Sequence, residues 1–190
     1  MHILGISGSP KRRGLTNLLL DNAIDGARRE GAVTEKIILN DLNFRACQEC
    51  GGCDNTGICV LDDDMKPVYD KIAAADAMIV ASPIYFGTVT AQLKAMIDRL
   101  QCSWVAKYVL KKKTPLRNKR KGIFLCVGGN DKKEYFEDAK KVVKIMFAVL
   151  DIKYSGDLFV GGTNILPSGS AKKDKAFQKA FDLGVMLASK

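Results

Sequence analysis

Short apolar runs alternate with longer stretches of helical periodicity along the chain, and this alternation constrains the fold more than any other feature. Residues 2 to 7 hold Ile3, Leu4 and Ile6. Residues 33 to 39 hold Val33, Ile37, Ile38 and Leu39. Ala77 to Ala81 is wholly apolar, Gly122 to Val127 is nearly so, and a fifth run lies near Lys153 to Val160. Such runs suit strands buried on both faces. Between them, Leu20, Ala23, Ile24 and Ala27 recur at helical spacing, with Thr16 at the expected N-cap and Gly31 as the stop. Pro67 to Ala75 reads as a short helix. Leu93, Met96, Ile97 and Leu100 mark another, beginning near Thr88 or Thr90 and fraying near Trp104. Ala139, Val142, Val143, Met146, Phe147 and Leu150 share one helical face, and Phe177, Ala180, Phe181, Gly184, Val185 and Ala188 belong to the last helix. Right-handed crossovers between such strands place helices on both faces of a parallel sheet. The expectation is an α/β three-layer sandwich whose five strands run in the order 2-1-3-4-5.

At 190 residues the chain fits one domain, 1-190, interrupted by a cysteine-rich loop at about 44-65. A hydrophobic fraction of 47% with 27% charged residues argues against a disordered or fibrous chain. No run approaches the roughly 18 apolar residues of a membrane span. Met1 and His2 lead straight into Ile3 with no leader, so a cytoplasmic location is expected. His2 is the only histidine, which excludes a Ser-His-Asp hydrolase or a histidine-rich metal site within one chain.

The formal net charge is +9, and Lys107, Lys111, Lys112, Lys113, Arg117, Lys119, Arg120 and Lys121 concentrate it in one segment. A solvated face is the ordinary reading of such a run. The sharper one is a docking patch for an acidic partner. No nucleic-acid recognition motif accompanies it.

In a sheet of this order, ligands bind beyond the carboxyl ends of the strands where strand order reverses, so the loops after strands one, three and four should build the site. The first contains Ser7, Gly8, Ser9, Pro10, Lys11, Arg13, Thr16 and Asn17 and feeds into a helix N-terminus. Hydroxyls, unpaired N–H groups and positive charge there suit a phosphate monoester. The loop matches neither the dinucleotide fingerprint nor a Walker loop. The second contains Ser82, Pro83, Ile84, Tyr85, Phe86 and Gly87. Its aromatics would pack on a planar ring system or, alternatively, into the core. The third supplies Val127, Gly128, Gly129 and Asn130, whose glycines permit close approach. A phosphate loop, an aromatic loop and a glycine loop together suit FMN.

With these motifs the chain resembles the NADPH-dependent FMN reductases and flavodoxin-like flavoproteins over nearly its whole length. The resemblance implies a flavodoxin-like fold and flavin-dependent oxidoreductase chemistry. It places Ser7, Ser9, Lys11, Arg13, Thr16 and Asn17 around the FMN phosphate, and Pro83 to Gly87 against the isoalloxazine. It also implies NAD(P)H or a ferredoxin-like protein as electron donor and a homodimer or homotetramer. No catalytic acid or base is assigned.

Cys47, Cys50, Cys53 and Cys59 form a C-x2-C-x2-C-x5-C pattern within 13 positions. Three close cysteines and a fourth nearby suit an iron-sulfur cluster, although the spacing departs from the ferredoxin pattern. Zinc, disulfides and free thiols are the alternatives. The loop is similar to that of the iron-sulfur flavoproteins, a branch of the same family, and this resemblance implies a [4Fe-4S] cluster on the four thiolates. Cys102 and Cys126 are expected to be ordinary buried residues.

Overall fold

The computed structural model describes residues 1–112, 120–163 and 171–189. Its sheet has five parallel strands, β1 (His2–Ser7), β2 (Val33–Ile38), β3 (Ala77–Pro83), β4 (Lys121–Val127) and β5 (Lys153–Val160), in the order β2-β1-β3-β4-β5. This is the flavodoxin-like sandwich expected from sequence. The helices are α1 (Leu15–Arg29), α2 (Met65–Ala74), α3 (Ala91–Arg99), α4 (Gln101–Trp104), α5 (Lys133–Val149) and α6 (Ala171–Ala188).

Strand alternation divides the core into two layers. Leu4, Ile6, Met78, Val80, Phe124 and Cys126 point to the side of α2, α3 and α5. Ile3, Ala77, Ile79, Ala81, Ile123 and Leu125 point to α1 and α6. Burial on both faces of the three central strands is what made their sequences continuously apolar. On the second side β1 carries Gly5, whose added Cβ would stand 2.9 Å from an Ile24 methyl. The missing side chain therefore lets α1 lie close on the sheet.

Several expected boundaries shift. Gly14, not Thr16, is the N-cap of α1, and no side chain caps this helix. The Gly14 carbonyl accepts from the Asn17 and Leu18 N–H groups, so Thr16 is drawn into the first turn and buried. α2 begins two residues before Pro67 because the Asp63 carboxylate accepts the Met65 N–H at 3.1 Å. Of the two candidate starts for α3, Thr90 is the cap and accepts the Leu93 N–H. The chain does not fray at Trp104 but continues through α4 into a π-helical turn, Val105–Val109. Gly31 ends α1 at φ +81°, beside the Glu30 cap. Within the basic segment, Lys107 pairs with Asp151 and Lys112 donates to the Thr56 carbonyl. Lys113, Arg117 and Lys119 lie outside the described residues. Among the described residues, no helix is long and apolar enough to cross a membrane.

Candidate functional site

Three loops leave the same end of the sheet at the same level. Ser7 of β1 stands opposite Ala81 of β3, and Pro83 opposite Val127 of β4. Sheet-like bonding continues one residue further: Gly8 N–H donates to Ala81 O at 2.8 Å, Ile84 N–H to Val127 O at 2.7 Å, and Gly128 N–H to Val160 O at 2.8 Å. The loops are thus anchored side by side in the order β1, β3, β4.

The first loop is held by its own side chains. Ser9 N–H donates to Ser7 Oγ at 3.2 Å, Lys11 N–H to Ser9 Oγ at 3.3 Å, and Asn17 Nδ2 to Lys11 O at 3.0 Å. Because Gly14 offers no capping group, Leu15 and Thr16 keep N–H groups without an acceptor among the described residues. Arg12 is paired with Asp41 at 2.7 Å. Lys11 and Arg13 are exposed and form no ion pair among the described residues, so both charges remain available to an anion. Asn17 Oδ1 is buried without a donor among the described residues. FMN fits these groups: its phosphate supplies acceptors for the free N–H groups, and a ribityl hydroxyl is the kind of donor Asn17 lacks.

The second loop is a tight turn. Tyr85 and Thr88 exchange both backbone hydrogen bonds, at 2.9 and 3.2 Å, around Phe86 at φ +48° and Gly87 at φ +81°. Positive φ at both central residues is the type I′ arrangement, natural for glycine and unfavourable for phenylalanine. The strained Phe86 is fully exposed and Tyr85 is half exposed, so neither packs in the core. Of the two readings open for these aromatics, core packing is thereby removed.

The third loop meets the second. Ile84, Phe86, Gly87, Gly128, Gly129 and Asn130 line one cavity of about 440 Å³, together with Tyr135 and Phe136 of α5. Gly128 is tight against Phe136, whose ring carbon would be 2.8 Å from an added Cβ. Sequence reasoning missed both α5 aromatics. Phe136 lies three residues before Ala139 on the same helical face, so extending that stripe by one step would have found it.

Residues 42 to 64 carry no helix or strand. They start two residues before the expected loop, and Met65 already belongs to α2. Cys47, Cys50, Cys53 and Cys59 all line one cavity of about 650 Å³, closed on its other side by Arg99, Gln101, Cys102, Trp104, Val105 and Val109. All four thiols are free. No three His, Cys, Asp or Glu side chains among the described residues are gathered closely enough to hold a single metal ion. Thus the loop brings the cysteines to one cavity without drawing them to one point.

Burial acts to raise the Cys59 thiol pKa. The Leu61 N–H, the Tyr69 hydroxyl and the Arg99 guanidinium outweigh it and leave the thiol below its ordinary range. Cys53 is pushed up, first by burial and then by neighbouring Cys102 and Asp54. Cys126 fits the expectation of a core thiol, raised by burial on β4. Cys102 is buried too but faces the cysteine cavity, a position that only the fold reveals.

The family model described as NADPH-dependent FMN reductase matches residues 1–155. An iron-sulfur flavoprotein from Methanosarcina thermophila is 36% identical over 130 residues, 68% of this chain and 64% of that protein. An iron-sulfur flavoprotein from Methanocaldococcus jannaschii is 42% identical over 99 residues, 52% of this chain and 51% of its own length. The matches therefore span less than two thirds of these relatives. Among solved structures, an NAD(P)H:quinone oxidoreductase from Methanothermobacter marburgensis superposes with a TM-score of 0.74 at 21% identity, covering 100% of this chain and 98% of the other. An FMN-dependent NADH-azoreductase from Bacillus anthracis, solved in complex with FMN, gives 0.72 at 15% identity with 100% of both chains covered. At these identities the likeness is one of fold. With residues 1–155 matched, the chain belongs to the NADPH-dependent FMN reductase family.

Proposed function

We propose that the protein is an FMN-dependent oxidoreductase that couples the flavin to a [4Fe-4S] cluster held by Cys47, Cys50, Cys53 and Cys59. One observation carries the flavin half: the loops after β1, β3 and β4 emerge level with one another at the carboxyl end of the sheet. In this reading Ser7, Ser9, Pro10, Lys11, Arg13, Thr16 and Asn17 surround the phosphate. The uncapped start of α1 adds its N–H groups and the positive end of the helix dipole. Pro83, Ile84, Tyr85, Phe86 and Gly87 lie along one side of the ring, while Val127, Gly128, Gly129 and Asn130 offer a second wall. FMN exchanges electrons in pairs or singly, and a cluster handles one at a time. The chain's part is to bind, orient and tune through these contacts. No side chain in the loops is needed as an acid or base.

Support for the cluster comes from four free thiols around one roomy cavity, and from the relatives' name. Zinc in a closed site needs its four thiolates around one ion. A cubane instead takes each thiolate at a separate corner, which suits cysteines spread around a cavity wall. NAD(P)H or a reduced ferredoxin-like protein is the proposed donor. The outward-facing Tyr85 and Phe86 favour a homodimer or homotetramer, in which a second subunit covers the turn.

Anaerobic purification followed by visible spectroscopy and metal analysis tests the reading. Bound flavin with about four iron and four sulfide per chain is the expected result. Zinc or metal-free protein overturns the cluster, and a protein that neither contains nor binds FMN overturns the whole assignment. Turnover with NADH, NADPH or reduced ferredoxin separates an enzyme from a passive carrier.

A further inference from the structure

The geometry points to Arg99 as the positioning residue of the cysteine loop and as a hydrogen-bond donor to the group held there, an inference that rests on the cluster reading above. Arg99 ends α3 and is 1% exposed. Its guanidinium grips Asp63 with two bonds, Nη1 to Oδ2 at 2.6 Å and Nη2 to Oδ1 at 3.1 Å. Nη1 also donates to the Arg45 carbonyl at 2.8 Å. Arg45 precedes Cys47 by two residues and Asp63 follows Cys59 by four, so one side chain ties together both ends of the segment that carries all four cysteines. Asp63 reinforces the closure by accepting the Arg45 N–H at 3.1 Å. The Arg99 carbonyl works in the other direction, accepting from the Tyr69 hydroxyl at 3.1 Å and the Cys102 thiol at 3.4 Å.

One nitrogen of this hub is unused. Arg99 Nε is buried with no acceptor among the described residues, and Arg99 lines the same cavity as the cysteines. A guanidinium cannot shed its charge, so an unmatched buried N–H is costly unless something accepts from it. Anionic sulfur is such an acceptor, and Cys59 is the cysteine whose thiol the guanidinium already influences. Hydrogen bonds to the sulfurs are one of the determinants of a cluster's potential. Arg99 thereby acts twice, holding the loop closed with its terminal nitrogens and donating to the cluster's sulfur with the third.

The test compares the wild-type chain with Arg99→Lys and Asp63→Asn after anaerobic reconstitution with iron and sulfide. Readouts are iron and sulfide per chain, resistance of the iron to a chelator, and the midpoint potential from an EPR-monitored titration, with FMN content as the folding control. R99K keeps a positive charge but has no Nε donor. It is expected to lose iron about tenfold faster and to show a lower potential than wild type. D63N loosens the clamp but keeps Nε, and is expected to lose iron faster with a potential nearer wild type. A purely structural arginine would change iron retention in R99K and leave the potential unmoved, which overturns the donor role. Wild-type retention in D63N overturns the clamp, whether or not R99K folds. Wild-type protein that takes up no iron overturns the cluster reading itself, a result distinct from either failure.

Discussion

The Thr90 hydroxyl donates to the Gly8 carbonyl at 2.6 Å, joining two loops that are 82 residues apart in the chain. The same oxygen accepts the Leu93 N–H as the cap of α3. Thr90 is fully buried, and Gly8 fits so tightly beneath it that an added Cβ would stand 2.9 Å from the Thr90 oxygen and 2.8 Å from Leu93 Cβ. Replacing Thr90 with Ala removes a helix cap, about 1 kcal/mol, and leaves a buried carbonyl unpaired at a further penalty of about 1 kcal/mol or more. Thr90→Ala is expected to lower stability by about 2 kcal/mol in urea unfolding and to weaken FMN binding by loosening the first loop. Thr90→Ser keeps the oxygen and should recover most of both losses. Equal FMN affinity in the Ala variant would sever the proposed link between the loops.

Phe86 is the opposite case, a residue whose removal should cost the fold nothing. It is wholly exposed at φ +48° and lines the cavity shared with Gly128 and Gly129. A left-handed non-glycine residue is strained by about 1 kcal/mol. Phe86→Gly is therefore expected to leave the stability of the flavin-free protein unchanged or slightly raised. If the ring packs on the isoalloxazine, the loss of roughly 1 kcal/mol of aromatic contact makes FMN bind several-fold more weakly. Fluorescence titration with FMN reads this directly, and an unaltered affinity would assign Phe86 to a protein contact instead.

Strands, layers and sheet order were legible because they rest on repeated, additive signals. Every position in β3 from Ala77 to Ala81 is buried, and its apolar run says so without reference to any other element. The choice of Gly14 over Thr16 as the α1 cap was not legible. The cap preference of a threonine is a small local term, and the Asn17 bond to Lys11 shapes the loop against it. Phe86 at positive φ runs against its intrinsic preference, so local sequence argues for the wrong conformation. The pairing of Arg99 with Asp63 spans 36 residues and leaves no periodic trace. Cys102 looked like a core thiol for the same reason: it is buried, and only the path of the 42–64 loop shows what it is buried against.

The Arg99–Asp63 clamp also sets an acid limit for the cysteine loop. Burial acts to raise the Asp63 pKa, but the Arg99 side chain and the N–H groups of Arg45 and Met65 outweigh it and hold the carboxyl below its ordinary range. A carboxylate depressed in the folded state contributes its full stabilisation above the unfolded value, about pH 4, and loses it as pH falls through the folded pKa. Protease resistance of the 42–64 segment should therefore persist down to about pH 4 and decline below it. Asp63→Asn leaves the Arg99 charge without its partner, at a cost of about 3 kcal/mol. In that variant the segment should already be sensitive at neutral pH, with the acid step at Asp63 absent. Retention of the wild-type acid step by D63N would assign the limit to another carboxylate.

Among the glycines of the described residues, the closest approaches occur where α1 crosses α6. A Cβ added to Gly184 would stand 1.8 Å from the Ala23 carbonyl oxygen, and one added to Gly26 would stand 2.0 Å from the Phe181 carbonyl oxygen. Neither glycine has a positive φ, so space alone demands the missing side chain. The opposing atoms are helix backbone, which cannot rotate aside as a side chain can. Alanine would gain up to about 1 kcal/mol of helix propensity at either position. Separating two packed helices and reopening the layer of Ile3, Leu20 and Ala180 between them and the sheet outweighs that gain. Gly184→Ala and Gly26→Ala are each expected to destabilise the protein by about 2 kcal/mol or more in denaturant unfolding. Because the two clashes lie in one crossing, the double variant should cost less than the sum of the singles. A neutral or stabilising effect of either alanine would show that the helices stand further apart than their backbones do here.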